Sequence, residues 1–163
     1  MEAPVTRIDS SYFGVNNEPA EKTYLRREAL EGWSPVEPNQ VVNRKELDDY
    51  LNLLNRNPDR YVSAVVSQGP QENTLAVNYN VYEADPWHYF AQVDNSGTEN
   101  IEWVPRFGLI NTNLLGYDDE LIAIYQVPLE SRWDDEYSIY GSYDFPIWGP
   151  KLRLNLYAAY NQF

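Results

Sequence analysis

From Trp87 onward the sequence loses helical periodicity and repeats with a period of two, in segments of similar length (87–94, 101–111, 120–129, 136–145 and 151–161) separated by Gly, Asn, Asp and Pro. Successive side chains of an extended chain point to opposite faces, so each segment's two faces can be read off directly. Trp87, Tyr89, Ala91 and Val93 oppose His88, Phe90, Gln92 and Asp94. Leu152, Leu154, Leu156, Ala158 and Tyr160 oppose Lys151, Arg153, Asn155 and Asn161. One side is apolar and the other carries charge or amide. Strands of equal length joined by turns predict an antiparallel meander. Its two faces suit either a half-buried soluble sheet or a membrane barrel with lipid outside and water inside. Two details favour the barrel. The segments match the roughly 9 to 11 residues that cross a bilayer at a tilt. Trp87, Trp103, Trp133, Tyr137 and Trp148 gather near segment ends, where an interfacial belt lies.

The first half is built differently. Val5 to Ile8 and Tyr12 to Val15 read as a strand or two. A helix is expected over Pro19 to Leu30, ending at Gly32, with Tyr24, Leu25 and Leu30 on one side. Trp33 to Gln40 contains Pro35 and Pro38 and reads as a linker. Asn43 fits an N-cap with Glu46 three residues on, and Leu47, Tyr50, Leu51 and Leu54 recur at helical spacing until Asn57-Pro58. Core packing accounts for those leucines. Tyr61 to Ser67 and Leu75 to Tyr82 then form a hairpin around Gly69 to Asn73. Residues 1–85 thus spell β-α-α-β-β, a small α+β unit, and residues 86–163 the meander.

Composition removes several function classes. The 25 acidic against 12 basic side chains give a net charge of −13, which long-range repulsion sets against nucleic-acid binding. There is no cysteine, and His88 is the single histidine. Thiol nucleophiles, disulfides and Cys-type zinc sites are therefore absent, a zincin lacks its paired histidine ligands, and a Ser-His-Asp hydrolase would have to rest on His88 alone. Asp118-Asp119-Glu120 and Asp134-Asp135-Glu136 lie between predicted strands without the spacing of a calcium loop, and read as solvated turns. His88 has only Asp85 near it in sequence and reads as structural. No nucleophile motif, phosphate loop or dinucleotide fingerprint occurs, so no catalytic residue, cofactor or metal site is expected. The chain opens without a basic and apolar leader and has no run of roughly 18 to 20 apolar residues. It reads as cytosolic, or as a mature or excised piece of an exported protein. The 14 Tyr, 5 Trp and 5 Phe make its apolar surface amphipathic.

Several stretches in order carry a family likeness. Val36-Glu37-Pro38-Asn39-Gln40-Val41-Val42-Asn43 with Glu46-Leu47, then Leu54-Asn55-Arg56-Asn57-Pro58-Asp59-Arg60 with Val62 and Val65, are similar to the second helix and helix exit of a polypeptide-transport-associated (POTRA) domain. Asp94-Asn95-Ser96-Gly97-Thr98, Leu114-Leu115-Gly116-Tyr117-Asp118-Asp119 and Tyr143-Asp144-Phe145-Pro146 are similar to the turns and strands that open a barrel. In this order they resemble the two-partner secretion translocators of the bacterial outer membrane, of the ShlB/FhaC haemolysin secretion and activation type. Such proteins have more strands, a signal sequence and a further POTRA domain, so the chain reads as a fragment. Phe163 falls out of phase with Tyr160 and Ala158 and reads as a truncation point.

The resemblance implies a POTRA-like domain in the periplasm over 1–85 and the first strands of an outer-membrane barrel over 86–163. It implies an unfolded secreted partner and outer-membrane lipid as partners, with no catalysis. Capture of an extended chain fits a sheet edge. Tyr61 to Ser67 is the candidate edge, with Tyr61, Val62, Ala64 and Val66 as polypeptide-binding residues, although pairing with Leu75 to Tyr82 occupies one side of it. Arg106, Gln126, Arg153 and Asn155 line a conduit on this reading and a solvated face on the alternative. That alternative is a soluble α+β binding protein whose C-terminal meander is self-contained, with Leu152, Leu154 and Leu156 buried inside the chain.

Overall fold

A computed structural model describes residues 3–95, 103–129 and 136–162. The expectations for Ser96 to Thr98, Trp133, Asp134, Asp135 and Phe163 lie outside the described residues. The elements run β1 (Val5–Phe13), α1 (Arg27–Gly32), α2 (Arg44–Leu54), β2 (Arg60–Gln68), β3 (Leu75–Glu83), β4 (Trp87–Asp94), β5 (Val104–Asn111), β6 (Glu120–Gln126), β7 (Tyr137–Pro146) and β8 (Arg153–Gln162).

The first three strands form a sheet of order β1-β3-β2, with β1 parallel and β2 antiparallel to the central β3. A parallel β1–β3 pair needs a crossover, which α1, α2 and β2 supply. On β3, Val77, Tyr79 and Val81 alternate into the core, where they meet Leu30, Leu47, Tyr50 and Leu54 from the helices. The phenols of the two fully buried tyrosines are satisfied: Tyr50 donates to the Leu30 carbonyl, and Tyr79 shares a 2.6 Å hydrogen bond with Ser34. Their rings meet edge to face at 6.1 Å, a favoured aromatic geometry.

α2 starts as its sequence predicts. The Glu46 N–H donates to Asn43 Oδ1, and Asn43 Nδ2 donates to Glu46 Oε1 at 2.8 Å. α1 differs from expectation, because it begins at Arg27 rather than near Pro19. The residues ahead of it are held by partners far away in sequence. Ala20 N–H donates to the Tyr12 carbonyl, Tyr24 and Leu25 N–H donate to the Glu83 carboxylate, and Arg26 N–H donates to the Gly116 carbonyl. These bonds replace the helical ladder, while Leu25 still fills the core. The predicted linker also contributes to packing: Val36 is buried, and its N–H donates to Ser34 Oγ at 3.0 Å.

The remaining strands form a second, fully antiparallel sheet in chain order, β4-β5-β6-β7-β8. Its register decides the faces. Tyr89 pairs with Leu109, Leu109 with Ala123, Ala123 with Gly141 and Gly141 with Ala158, so these share one apolar face. Glu120, Asp144 and Asn155 share the other. β6 reads Leu121-Ile122-Ala123-Ile124-Tyr125, without alternation, and only its pairing puts Ile122 and Ile124 on the polar face. That face is therefore mixed, with Phe90 and Ile110 joining the isoleucines between polar ends.

Among the described residues, none covers the apolar face. Leu152, Leu154 and Leu156 are 54%, 38% and 55% exposed, which corrects the expectation that a self-contained meander buries them. Both helices lie over the first sheet, so nothing in the described chain packs on this face.

Candidate functional site

Two features lie next to each other: the outer edge of β2, and the seam where the turn after β5 meets the first sheet. Among the described strands, β2 has β3 on one side only. In an antiparallel pair, alternate residues send their N–H and C=O toward the partner and away from it. The Val62 N–H and C=O point away from β3, because both are bonded to the Asn55 carboxamide at the end of α2. By alternation Ala64, Val66 and Gln68 also face outward. Val65 and Val66 flank these groups and are 49% and 46% exposed. The other edge of the sheet is partly covered, since β1 bridges to Val41 and Pro19 through Pro4 and Phe13.

The four residues singled out from sequence therefore divide. Tyr61 is exposed beside β2, Ala64 is half-buried and Val66 is exposed. Val62 is a core side chain, fully buried in the cluster with Tyr79 and Val81. It offers a ligand neither its side chain nor its backbone.

The seam contradicts the reading of Asp118-Asp119-Glu120 as a solvated turn. Asp118 and Asp119 are both buried. Asp119 accepts from the N–H groups of Leu115 and Tyr117 and from the Tyr143 hydroxyl, which closes the turn on itself. Asp118 sits at φ 58°, a left-handed conformation that Asp tolerates better than most residues. Its carboxylate bridges Arg60 at the start of β2 and Arg153 at the start of β8. Arg153 also pairs with Asp144. These long-range pairings had no sequence signal, since Arg60 and Asp118 lie 58 residues apart.

A second polar group closes the seam. Asp59 Oδ2 accepts from Thr112 Oγ1 at 2.6 Å and lies 2.7 Å from His88 Nε2, so His88 has an acidic partner that proximity in sequence did not suggest. Asn57 donates to the Thr112 carbonyl at 2.8 Å. Arg26 donates to the Leu115 carbonyl, and the Arg26 guanidinium lies over the Tyr117 ring. Gly149, between β7 and β8, lies against the Trp33 ring. Glu83, at the end of β3, is buried. Burial pushes its carboxyl above the usual carboxylate range, partly offset by the Tyr24 and Leu25 N–H donors and by the Arg60 charge.

Arg106, Gln126, Arg153 and Asn155 lie on the polar face and are paired across strands. Arg106 donates to Gln126 at 3.2 Å, and Asn155 to Ser142 at 3.1 Å. Where this face meets the end of α2, a cleft of about 200 Å³ opens between Arg56, Asn57, Glu120, Asp144 and Arg153. Among the described residues no group of three or more His, Asp or Glu is placed to hold a metal ion. The chemistry available is hydrogen bonding along an edge and ion pairing across a seam.

No family model and no curated protein matches the chain. Solved structures do. CdiB from Escherichia coli matches with a TM-score of 0.59 and 18% identity, over 88% of this chain and 26% of that one. BamA from Haemophilus ducreyi lacking POTRA domains 1–3 matches with a TM-score of 0.59 and 13% identity, over 94% of this chain and 27% of that one. Both are outer-membrane β-barrel proteins. At this identity the likeness is one of fold, and the chain spans about a quarter of either structure's length.

Proposed function

We propose that the chain is part of an outer-membrane protein translocator of the two-partner secretion kind. Residues 1–85 act as a periplasmic POTRA domain that captures an unfolded exported polypeptide. Residues 86–163 form strands of the barrel wall through which that polypeptide passes. The role is that of a conduit, without catalysis. The observation that carries the reading is the two-faced sheet: one face is apolar and uncovered by any described residue, and the opposite face holds paired charges and amides among its apolar side chains. Exposed apolar surface on this scale is unfavourable in water by about 25 cal/mol per Å², and lipid removes that penalty. The fold likeness to two outer-membrane barrel proteins adds support.

The captured partner is a secreted protein in extended form, and lipid contacts the apolar face. Edge pairing suits such a partner because main-chain bonds give affinity with little demand on sequence. The test is fractionation of the full-length gene product. It is expected to sediment with the outer membrane, require detergent for release, and migrate differently on a gel before and after heating. A product that remains soluble and monomeric without detergent would overturn the reading.

A further inference from the structure

We propose that Asn55 is a register stop on the β2 edge, so that an incoming extended polypeptide pairs with Ala64, Val66 and Gln68 and is blocked from Val62. The proposal rests on the capture reading above and specifies where on β2 capture occurs. The Asn55 carboxamide occupies both outward groups of Val62: its Nδ2 donates to the carbonyl at 2.9 Å, and its Oδ1 accepts from the N–H at 2.6 Å. It thus makes the two bonds that a neighbouring strand residue would make. One outward position earlier, the Arg60 N–H is already donated to the Asn57 carbonyl. The edge is closed through Val62 by the turn that leads out of α2 and open beyond it.

The occupant this edge fits is an extended segment with apolar side chains. Val65 and Val66 stand on opposite faces of the strand where the edge opens, and both are exposed. The net charge of −13 disfavours an acidic segment and favours a neutral or basic one.

The chain contains no cysteine, so single cysteines map the register cleanly. Odd-numbered residues of β2 bond to β3, and toward an added antiparallel strand they occupy non-hydrogen-bonded positions. There Cα atoms come within about 4.5 Å, inside disulfide range. Tyr61→Cys and Val65→Cys are made in the full chain in detergent micelles, with Asn55 present and with Asn55→Ala. The probe is a short peptide of alternating Thr and Val carrying one central Cys, with diamide added as the two-electron oxidant that closes the disulfide. With Asn55 present, Val65→Cys is expected to cross-link to it roughly 5- to 30-fold faster than Tyr61→Cys, the worth of one rung of two backbone hydrogen bonds. A small thiol reagent should label both alike, since both side chains are exposed. With Asn55→Ala, the Tyr61→Cys reaction should rise toward that of Val65→Cys, stopping short of it because the Arg60 N–H stays donated to the Asn57 carbonyl.

Equal cross-linking with Asn55 present, or no gain at Tyr61→Cys after its removal, would overturn the register stop and leave edge capture standing. No cross-linking at either position would overturn edge capture itself. If Asn55→Ala does not fold, amide exchange in the unaltered chain decides the matter. Adding peptide should then slow exchange at Ala64 and Val66 and leave Val62, already protected, unchanged. Slowing at Val62 as well would refute the stop.

Discussion

Replacing Asp118 with Asn removes the charge that holds the seam and retains a residue suited to the left-handed backbone there. Asp118 and Arg60 are 7% and 2% exposed at their side chains, so their pairing is little screened by solvent. Removing one partner of a buried pair strands the other, at a cost of about 3 to 5 kcal/mol. The lower end applies here. Arg60 keeps its bond to the Leu54 carbonyl, the Asn amide still offers an oxygen, and the Glu83 carboxylate lies close enough to feel the Arg60 charge. The expected loss is about 3 kcal/mol, roughly two orders of magnitude in the folded-to-unfolded ratio. Urea unfolding in detergent micelles, followed by tryptophan fluorescence, reads this out, because Trp33 packs on Gly149 across the same seam. Arg153 is 28% exposed, so Arg153→Met should cost less, about 1 kcal/mol. An Asp118→Asn variant within about 0.5 kcal/mol of the parent, or an Arg153→Met variant that costs more, would refute the seam as a buried electrostatic lock.

Other expectations follow from single sites. A Cβ at Gly108 would come within 2.2 Å of the Phe90 ring on the paired strand, so Gly108→Ala should destabilise the second sheet by about 1 to 3 kcal/mol. Adding Phe90→Ala should recover part of that loss in a double-mutant cycle by thermal unfolding. Glu83→Ala leaves the Tyr24 and Leu25 N–H groups without their acceptor and should cost about 2 to 4 kcal/mol in the same assay. For the unaltered chain, the raised Glu83 pKa means that the folded state binds more protons than the unfolded one just above the usual carboxylate range. The Glu83 contribution to stability is thus full below the unfolded pKa and is lost as pH rises through the folded one. The pH dependence of unfolding should flatten correspondingly in Glu83→Gln, and an unchanged profile would contradict the assignment.

What could be read from sequence divides along the range of the interactions involved. α2 was legible because its signal is local: Asn43 and Glu46 cap each other, and Leu47, Tyr50 and Leu54 recur on one face. The strands of the second sheet were legible because period two survives in β4 and β8. β6 was legible as a strand but not in its faces, because its run of apolar residues carries no phase and the pairing partners decide it. α1 was overextended because the Tyr24 and Leu25 amides are claimed by Glu83, far along the chain. The seam was hidden for the same reason. An Asp-Asp-Glu turn looks solvated until Arg60 and Tyr143 are brought to it. On β2 the edge was legible, but Asn55 and the inward side chain of Val62 needed the packed helix to be seen.

The proposed role requires that one face of the second sheet meet lipid and the other meet water. Single-cysteine spin labels along β8, in the full-length protein in phospholipid vesicles, test it directly. Positions 154, 156, 158 and 160 should relax with dissolved oxygen, and positions 153, 155, 157 and 159 with a water-soluble nickel reagent, alternating with the strand's period of two. Equal access of the nickel reagent to both sets would contradict the account.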